Sequence, residues 1–96
     1  MYVMVMTIEC RLPYINSLKE KRMVRNRLLD RMKRDFKLSA CETAHADIHN
    51  KLVIGLSAVS GDPAYLQNLP DKIVSFVETN IEGFIISADR DIFPWQ

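Results

Sequence analysis

The sequence contains few of the residues from which common active sites are built. It has three glycines and neither a G-x-S-x-G nor a P-loop motif, so it offers no nucleophile elbow and no glycine-rich loop for phosphate. Its two cysteines, Cys10 and Cys41, lack C-x-x-C spacing and a secretory context, so we expect two small apolar strand residues and neither a disulfide nor a zinc site. We therefore expect a protein that is not an enzyme and uses no cofactor or metal.

Long apolar runs are also missing. The apolar start Y-V-M-V-M-T-I is followed by Glu9 and Arg11, which makes it too short to span a bilayer, and it lacks the basic opening of a secretion signal. The 96 residues are 48% hydrophobic and 26% charged, the composition of one folded domain. We expect a single cytoplasmic domain over residues 1–96 with no membrane partner.

Positive charge is scarce outside one segment. Residues 17–37 hold nine of the thirteen Lys and Arg residues and three of the twelve acidic ones. The formal net charge of +1 is therefore +6 in this segment and −5 in the rest of the chain. A split of this size is larger than solubility requires, and it raises the question of an anionic partner.

Periodicity predicts a strand and a helix in the first half of the chain. Alternation over residues 2–12 is typical of a strand, which Pro13 ends. Ser17 and Glu20 form an S-x-x-E capping box, in which each side chain accepts a free backbone N–H at a helix start. A helix is expected from about Leu18 to Lys37, with apolar positions at i+4 steps on one stripe.

The second half predicts a hairpin, another helix and a last strand. Segments 38–44 and 51–60 have strand character, and the polar turn H-A-D-I-H-N lies between them. Asp62 and Pro63 provide the cap and first turn of a second helix. Pro70 should kink or restart that helix near Leu69 because it removes a backbone N–H. Residues 83–93 supply the fourth strand.

The order strand, helix, strand, strand, helix, strand predicts an α+β fold, the ferredoxin-like βαββαβ domain. Right-handed crossovers place both helices on one face of a four-stranded antiparallel sheet in the order 4-1-3-2. The strand faces with more large apolar residues should meet the helices: Met4, Met6, Ile8, Leu52, Ile54, Leu56, Phe84 and Ile86. The open face should then carry Val3, Val5, Val53, Val59 and Ile85. We interpret that patch as a homodimer interface, although scattered valines are also tolerated on sheets.

Three motifs resemble a known family. S-L-K-E-K-R at 17–22, E-x-x-H-x-D at 42–47 and V-S-G-D at 59–62, followed by D-K-I-V-x-F-V at 71–77, are similar to the YlxP-like family of small bacterial proteins, a domain of unknown function. The resemblance covers nearly the whole chain and implies the same ferredoxin-like fold. Genes of the family often lie among those for translation initiation and ribosome maturation factors, which implies a role near RNA. The resemblance implies no activity and no catalytic residue.

The basic residues of the first helix form two candidate sets. Arg27, Arg31 and Arg34 lie at i, i+4 and i+7, a solvent-facing stripe suited to phosphates along a nucleic-acid backbone. The simpler interpretation is a solvated basic surface. Lys19, Lys21 and Arg22 lie in the first turns, where cations oppose the helix dipole and so suggest a compensating anion. The stems of Lys21, Arg22 and Arg25 should lie over the sheet edge with their charged ends emerging, unless they pair with Glu9, Glu20 or Glu42.

Two other site types are less well supported. His45, Asp47 and His49 spell H-x-D-x-H, which would suit a metal on a strand, but the segment is expected to be a turn in which Asp47 bonds to the backbone. The central strands lack the stacking aromatics of an RNA-recognition module. If RNA binds, the basic helix should carry it.

The sequence thus predicts a cytoplasmic accessory protein without enzymatic activity. It should bind structured RNA or the ribosome through its basic first helix and form a homodimer through the sheet. The alternative is a protein-interaction or small-anion-sensing module that acts as a sheet-face homodimer with no nucleic-acid role. The anion-binding candidates are Lys19, Lys21, Arg22, Arg25, Arg27, Arg31 and Arg34.

Overall fold

A computed structural model describes all residues, 1–96. The chain forms four strands and two helices in the predicted order. The strands are β1 (Tyr2–Arg11), β2 (Ser39–Ala44), β3 (Lys51–Ser60) and β4 (Phe84–Pro94), and the helices are α1 (Leu18–Asp35) and α2 (Pro63–Asn80). Neither helix is long and apolar enough to cross a membrane.

The four strands form one antiparallel sheet in the order β2-β3-β1-β4. Read from the other edge, this is the predicted order 4-1-3-2, so the predicted α+β fold is confirmed. β1 and β3 pair along their whole lengths, from Tyr2 with Ser60 to Arg11 with Lys51. These two strands therefore form the centre of the sheet, with β2 and β4 at its edges.

The hydrophobic core lies between one face of the sheet and the two helices. The predicted inward faces of β1 and β3 are confirmed, since Met4, Ile8, Leu52 and Ile54 are completely buried. The helices cover them with apolar side chains that recur at helical spacing: Leu28, Leu29, Met32, Leu66, Leu69, Ile73 and Val77. Phe36 and Phe76 contact each other edge to face, with ring centroids 5.4 Å apart, and so join the two helices.

The first part of β4 has the opposite orientation from the one predicted. Phe84 and Ile86 are exposed, by 55% and 44%, whereas Ile85 packs against the core. The cause is a β-bulge between Glu9 and Cys10 in the pairing of β1 with β4. Because a bulge inserts one extra residue, the alternation that holds from residue 88 onward is reversed before it.

The open face of the sheet also differs from prediction at Val53. Val5 and Val59 are exposed as expected, and Val3 is half-buried. Val53 is buried because it lies in a central strand between Glu9 and Ala44, beside an ion pair of 3.2 Å between Glu9 and Lys51. Cys10 is buried as an apolar residue would be, but Cys41 is exposed and both thiols are free.

Both helices begin at the capping residues that the sequence predicts. The Ser17 side chain accepts the backbone N–H of Glu20 at 3.1 Å, and Asp62 accepts that of Ala64 at 3.0 Å. The return bond of the capping box differs, since the Glu20 carboxylate accepts from the N–H of Asn16 at 3.5 Å. Helix α2 continues through Pro70 without restarting near Leu69, so the predicted restart is wrong; Pro70 is buried.

Candidate nucleic-acid interface

The seven predicted anion-binding residues are divided by their surroundings. Five side chains of α1 are exposed to solvent: Lys19, Arg22, Arg27, Arg31 and Arg34. Arg25 is half-buried and Lys21 is completely buried. The basic helix therefore has an outer set that faces solvent and an inner pair that faces β2.

The ammonium group of Lys21 is bound on all sides by oxygen atoms. Its Nζ donates to the carbonyl oxygens of His45 at 2.8 Å and of Ile48 at 2.7 Å. It also lies 2.6 Å from Oε2 of Glu42, an oxygen that has no other polar partner. Since an ammonium group has three N–H donors, these three oxygens occupy it fully.

Arg25 completes this buried cluster. It contacts Oε1 of Glu42 at 2.9 Å, so the carboxylate has one cation on each oxygen. Burial alone would raise the pKa of Glu42, but the hydrogen bonds and charges of Lys21 and Arg25 outweigh it and hold the pKa below its ordinary value of 4.5. Glu42 is therefore an anion at neutral pH, held between two cations.

These contacts correct the expected position of the Lys21 charge. The stem of Lys21 lies in the apolar sector as expected, but its charged end does not emerge into solvent. It pairs with Glu42 of β2, which is the alternative that the sequence left open. The bonds also fix the turn after β2, where His45 has a φ of +55° that few non-glycine residues adopt. Lys21 is thus committed to joining α1 to that turn.

The turn histidines do not lie on an extended strand. Ala46, Asp47, His49 and Asn50 lie in turns, and the N–H of Ile48 donates to the carbonyl of His45 at 3.1 Å. The alternation that would put the H-x-D-x-H side chains on one face is therefore lost. No group of three or more His, Cys, Asp or Glu residues is arranged to hold a metal ion.

Arg27, Arg31 and Arg34 form the exposed stripe that their spacing predicts, which we call the arginine stripe. Arg34 lies 3.1 Å from its neighbour Asp35, with both side chains well exposed. Arg31 donates to Oδ1 of Asn80 at 2.9 Å, and the Asn80 amide donates to the carbonyl of Phe76 at 2.8 Å. The side chain of Arg27 makes no hydrogen bond or ion pair within the protein.

A cleft of about 470 Å³ lies beside this stripe, between α1 and the end of α2. Its apolar residues are Leu12, Ile15, Val24 and Ile81. Its polar residues are Arg27, Arg31, Thr79, Asn80 and Glu82. Sequence reasoning missed this cleft, because it depends on the distance between two helices and no motif spans them.

Comparison with known proteins assigns the chain to a family and adds no chemistry. Residues 3–90 match the family described as "Protein of unknown function (DUF503)". The chain belongs to the DUF503 family. It is also similar to the uncharacterized protein YlxP of Bacillus subtilis (strain 168), with 30% identity over 71 residues, which cover 74% of this chain and 77% of that protein.

Membership of the DUF503 family confirms the resemblance drawn from S-L-K-E-K-R and its companion motifs. The family description names no reaction, ligand or partner. Any proposal of function must therefore rest on the contacts of individual side chains. In S-L-K-E-K-R, Ser17 caps the helix and Lys21 forms a buried ion pair, whereas Lys19 and Arg22 are exposed.

Proposed function

We propose that this DUF503 protein is a cytoplasmic accessory protein, without enzymatic activity, that binds structured RNA such as that of the ribosome. The binding surface is the exposed side of α1, with the arginine stripe at its centre. Lys19 and Arg22 extend the surface toward the start of the helix. Lys21 and Arg25 are not part of it, because their charges are used by Glu42.

The observation that carries this proposal is the number of cations on α1 without a protein partner. Segment 17–37 has nine basic residues, of which three contact a carboxylate and Arg31 contacts an amide. The other five have no ion pair or side-chain hydrogen bond to an acceptor: Lys19, Arg22, Arg27 and Lys33 on α1, and Lys37 just after it. Unneutralised cations concentrated on one helix favour a polyanion as partner.

The spacing of the stripe supports a nucleic-acid backbone in particular. Side chains at i, i+4 and i+7 follow one another along a helix at intervals of about 5 to 6 Å between Cβ atoms. Guanidinium groups bind phosphate oxygens with two parallel hydrogen bonds, which a lysine cannot do. Contacts of this kind fix position without reading sequence.

Charge reversal on the stripe tests the proposal. The variant Arg27→Glu/Arg31→Glu/Arg34→Glu should lose affinity for ribosomes and structured RNA while keeping its far-UV circular dichroism, because all three side chains are exposed. The matched control is Arg11→Glu/Lys72→Glu/Arg90→Glu, which changes the net charge equally outside α1. Equal loss in both variants would mean that the stripe is not the binding surface.

The second part of the proposal is a homodimer formed through the open sheet face. Exposed apolar side chains on that face support it, and outward rotation at the bulge adds Phe84 and Ile86 to Val5 and Val59. The strands lie about 4.8 Å apart; three are about 33 Å long and β2 is about 20 Å long, so the face presents about 600 Å². A stable interface uses about 800 Å² on each partner, so the dimer would be a weak one.

The small-anion alternative has less support at the helix start. Its central cation there was Lys21, whose three donors are occupied by protein oxygens. The first free backbone N–H groups of α1 are also partly used, since that of Glu20 donates to Ser17. We therefore do not propose an anion sensor at this position.

A further inference from the structure

The cleft between α1 and α2 has the size of a small-ligand site. Its volume is about 470 Å³, within the range of pockets that hold small molecules. It opens beside the arginine stripe, and two of the three stripe residues, Arg27 and Arg31, belong to its wall. A ligand in the cleft would therefore be continuous with a polyanion bound along α1.

The α1 wall of the cleft is suited to a phosphate. Arg31 is held in place because Asn80 accepts one of its N–H groups and is itself fixed by the carbonyl of Phe76. Its other donors stay available, as do all those of Arg27. Two guanidinium groups one helical turn apart can bind the oxygens of a single phosphodiester.

The α2 wall has the opposite chemistry. It presents the hydroxyl of Thr79, whose hydrogen is donated to the carbonyl of Ser75 at 2.8 Å, and, just after the helix, the exposed carboxylate of Glu82. The last turn of α2 contains no basic residue, and its free carbonyl groups form the negative end of the helix dipole. This wall repels a free inorganic anion but accepts hydrogen bonds from N–H donors.

The rest of the cleft lining is aliphatic. Ile15, Val24 and Ile81 are half-buried and belong to it. A flat apolar ring face can pack on such side chains, whereas a sugar or an inorganic ion gains little from them. The cleft thus combines phosphate donors, apolar side chains and acceptors for amino groups.

We infer that this cleft binds one unstacked nucleotide of the RNA that α1 contacts. Its phosphate binds Arg27 and Arg31, its base packs on Ile15, Val24 and Ile81, and the amino edge of the base faces Glu82. The inference rests on the proposed function and refines it, because it makes a bulged or single-stranded residue, and not a continuous duplex, the preferred partner. Carboxylate acceptors suit the exocyclic amino group of cytosine or adenine.

Two RNA hairpins test this inference, one with a fully paired stem and one with the same stem and a single bulged adenosine or cytidine. Affinity measured by fluorescence anisotropy should be about tenfold higher for the bulged hairpin. Thr79→Trp fills the cleft from an exposed position. It should lower the affinity for the bulged hairpin to that for the paired one. Gln67→Trp, which introduces the same side chain at an exposed position in the first half of α2, should change the affinity for neither hairpin.

A second readout does not depend on the substitution. Methyl resonances of Ile15, Val24 and Ile81 should shift when the bulged hairpin is added and stay in place with the paired one. Equal affinities for the two hairpins, or unmoved methyl resonances on binding, would overturn the inference and leave the proposed function intact. Failure of both hairpins to bind would overturn the proposed function itself.

Discussion

The ammonium group of Lys21 lies 2.6 Å from the carboxylate of Glu42 in the interior of the domain, where both side chains are at most 6% exposed. The pair joins the first turn of α1 to β2, and the two carbonyl bonds of Lys21 extend it to the turn after β2. A basic residue of the S-L-K-E-K-R segment is thus part of the core. Its removal should affect folding before it affects binding.

Lys21→Met should destabilise the protein by about 3 to 5 kcal/mol, the usual effect of removing one partner of a buried ion pair. The substitution leaves Glu42 with Arg25 alone and removes a donor from the carbonyl groups of His45 and Ile48. Urea denaturation measures the change. Lys19→Met, on the exposed side of the same turn, should alter the free energy of unfolding by less than about 0.5 kcal/mol. Similar values for the two variants would refute a structural role for Lys21.

The Glu42 carboxyl should make stability depend on pH in the acid range. Its pKa is lowered in the folded state from the ordinary value of 4.5, so its contribution is fully present above about pH 4.5. As the pH falls, the unfolded state takes up the proton first, and the contribution is lost as the pH passes through the lower, folded pKa. Unfolding free energies at several pH values should fall less steeply below pH 4.5 in Glu42→Gln than in the wild type. Glu20→Gln, at an exposed carboxylate, should keep the wild-type slope.

The two cysteines should differ in reactivity. Burial, with a smaller effect from the charge of Glu9, raises the pKa of Cys10 to about 11, and the thiolate is the reactive form. Cys41 is exposed on β2. A thiol reagent at neutral pH should therefore modify one thiol per native chain, and none in Cys41→Ser. Two thiols that react at the same rate would contradict this assignment.

The sheet-face homodimer predicts a specific effect of two exposed side chains. Phe84→Ser/Ile86→Ser should shift the protein toward monomer in sedimentation equilibrium with little loss of stability, because both residues are exposed. Tyr65→Ser, at an exposed position on α2, is the control. In the wild type, Cys41 on the same sheet face should react more slowly as protein concentration rises. A monomer at all concentrations in the wild type would rule the dimer out.

The sequence predicted the parts of this fold that depend on neighbours along the chain. Alternation in β1 and β3, the caps at Ser17 and Asp62, and the order of elements are local patterns, and the sheet order follows from them with the right-handed crossover rule. The orientation of Phe84 could not be predicted in this way. It depends on a bulge that arises in the pairing with β1, where one inserted residue reverses the alternation.

The candidate site was harder to predict for the same physical reason. Spacing along the helix placed Arg27, Arg31 and Arg34 on one exposed stripe, which needs only the geometry of α1. The burial of Lys21 depends on Glu42, a residue of β2, and on carbonyl groups in the turn beyond it. The cleft beside Arg31 depends likewise on Asn80 at the end of α2. Contacts between distant segments of the chain leave no periodic signal in the sequence.

The salt dependence of RNA binding tests the central claim most directly. Each phosphate contact contributes about 0.7 to 0.9 to the slope of log Kd against log salt concentration. If the arginine stripe binds the backbone, Arg27→Gln/Arg31→Gln/Arg34→Gln should lower that slope by about 2 to 3 relative to the wild type. The control Arg11→Gln/Lys72→Gln/Arg90→Gln should keep the wild-type slope. An unchanged slope in the stripe variant, or wild-type binding that does not weaken with salt, would contradict the proposal.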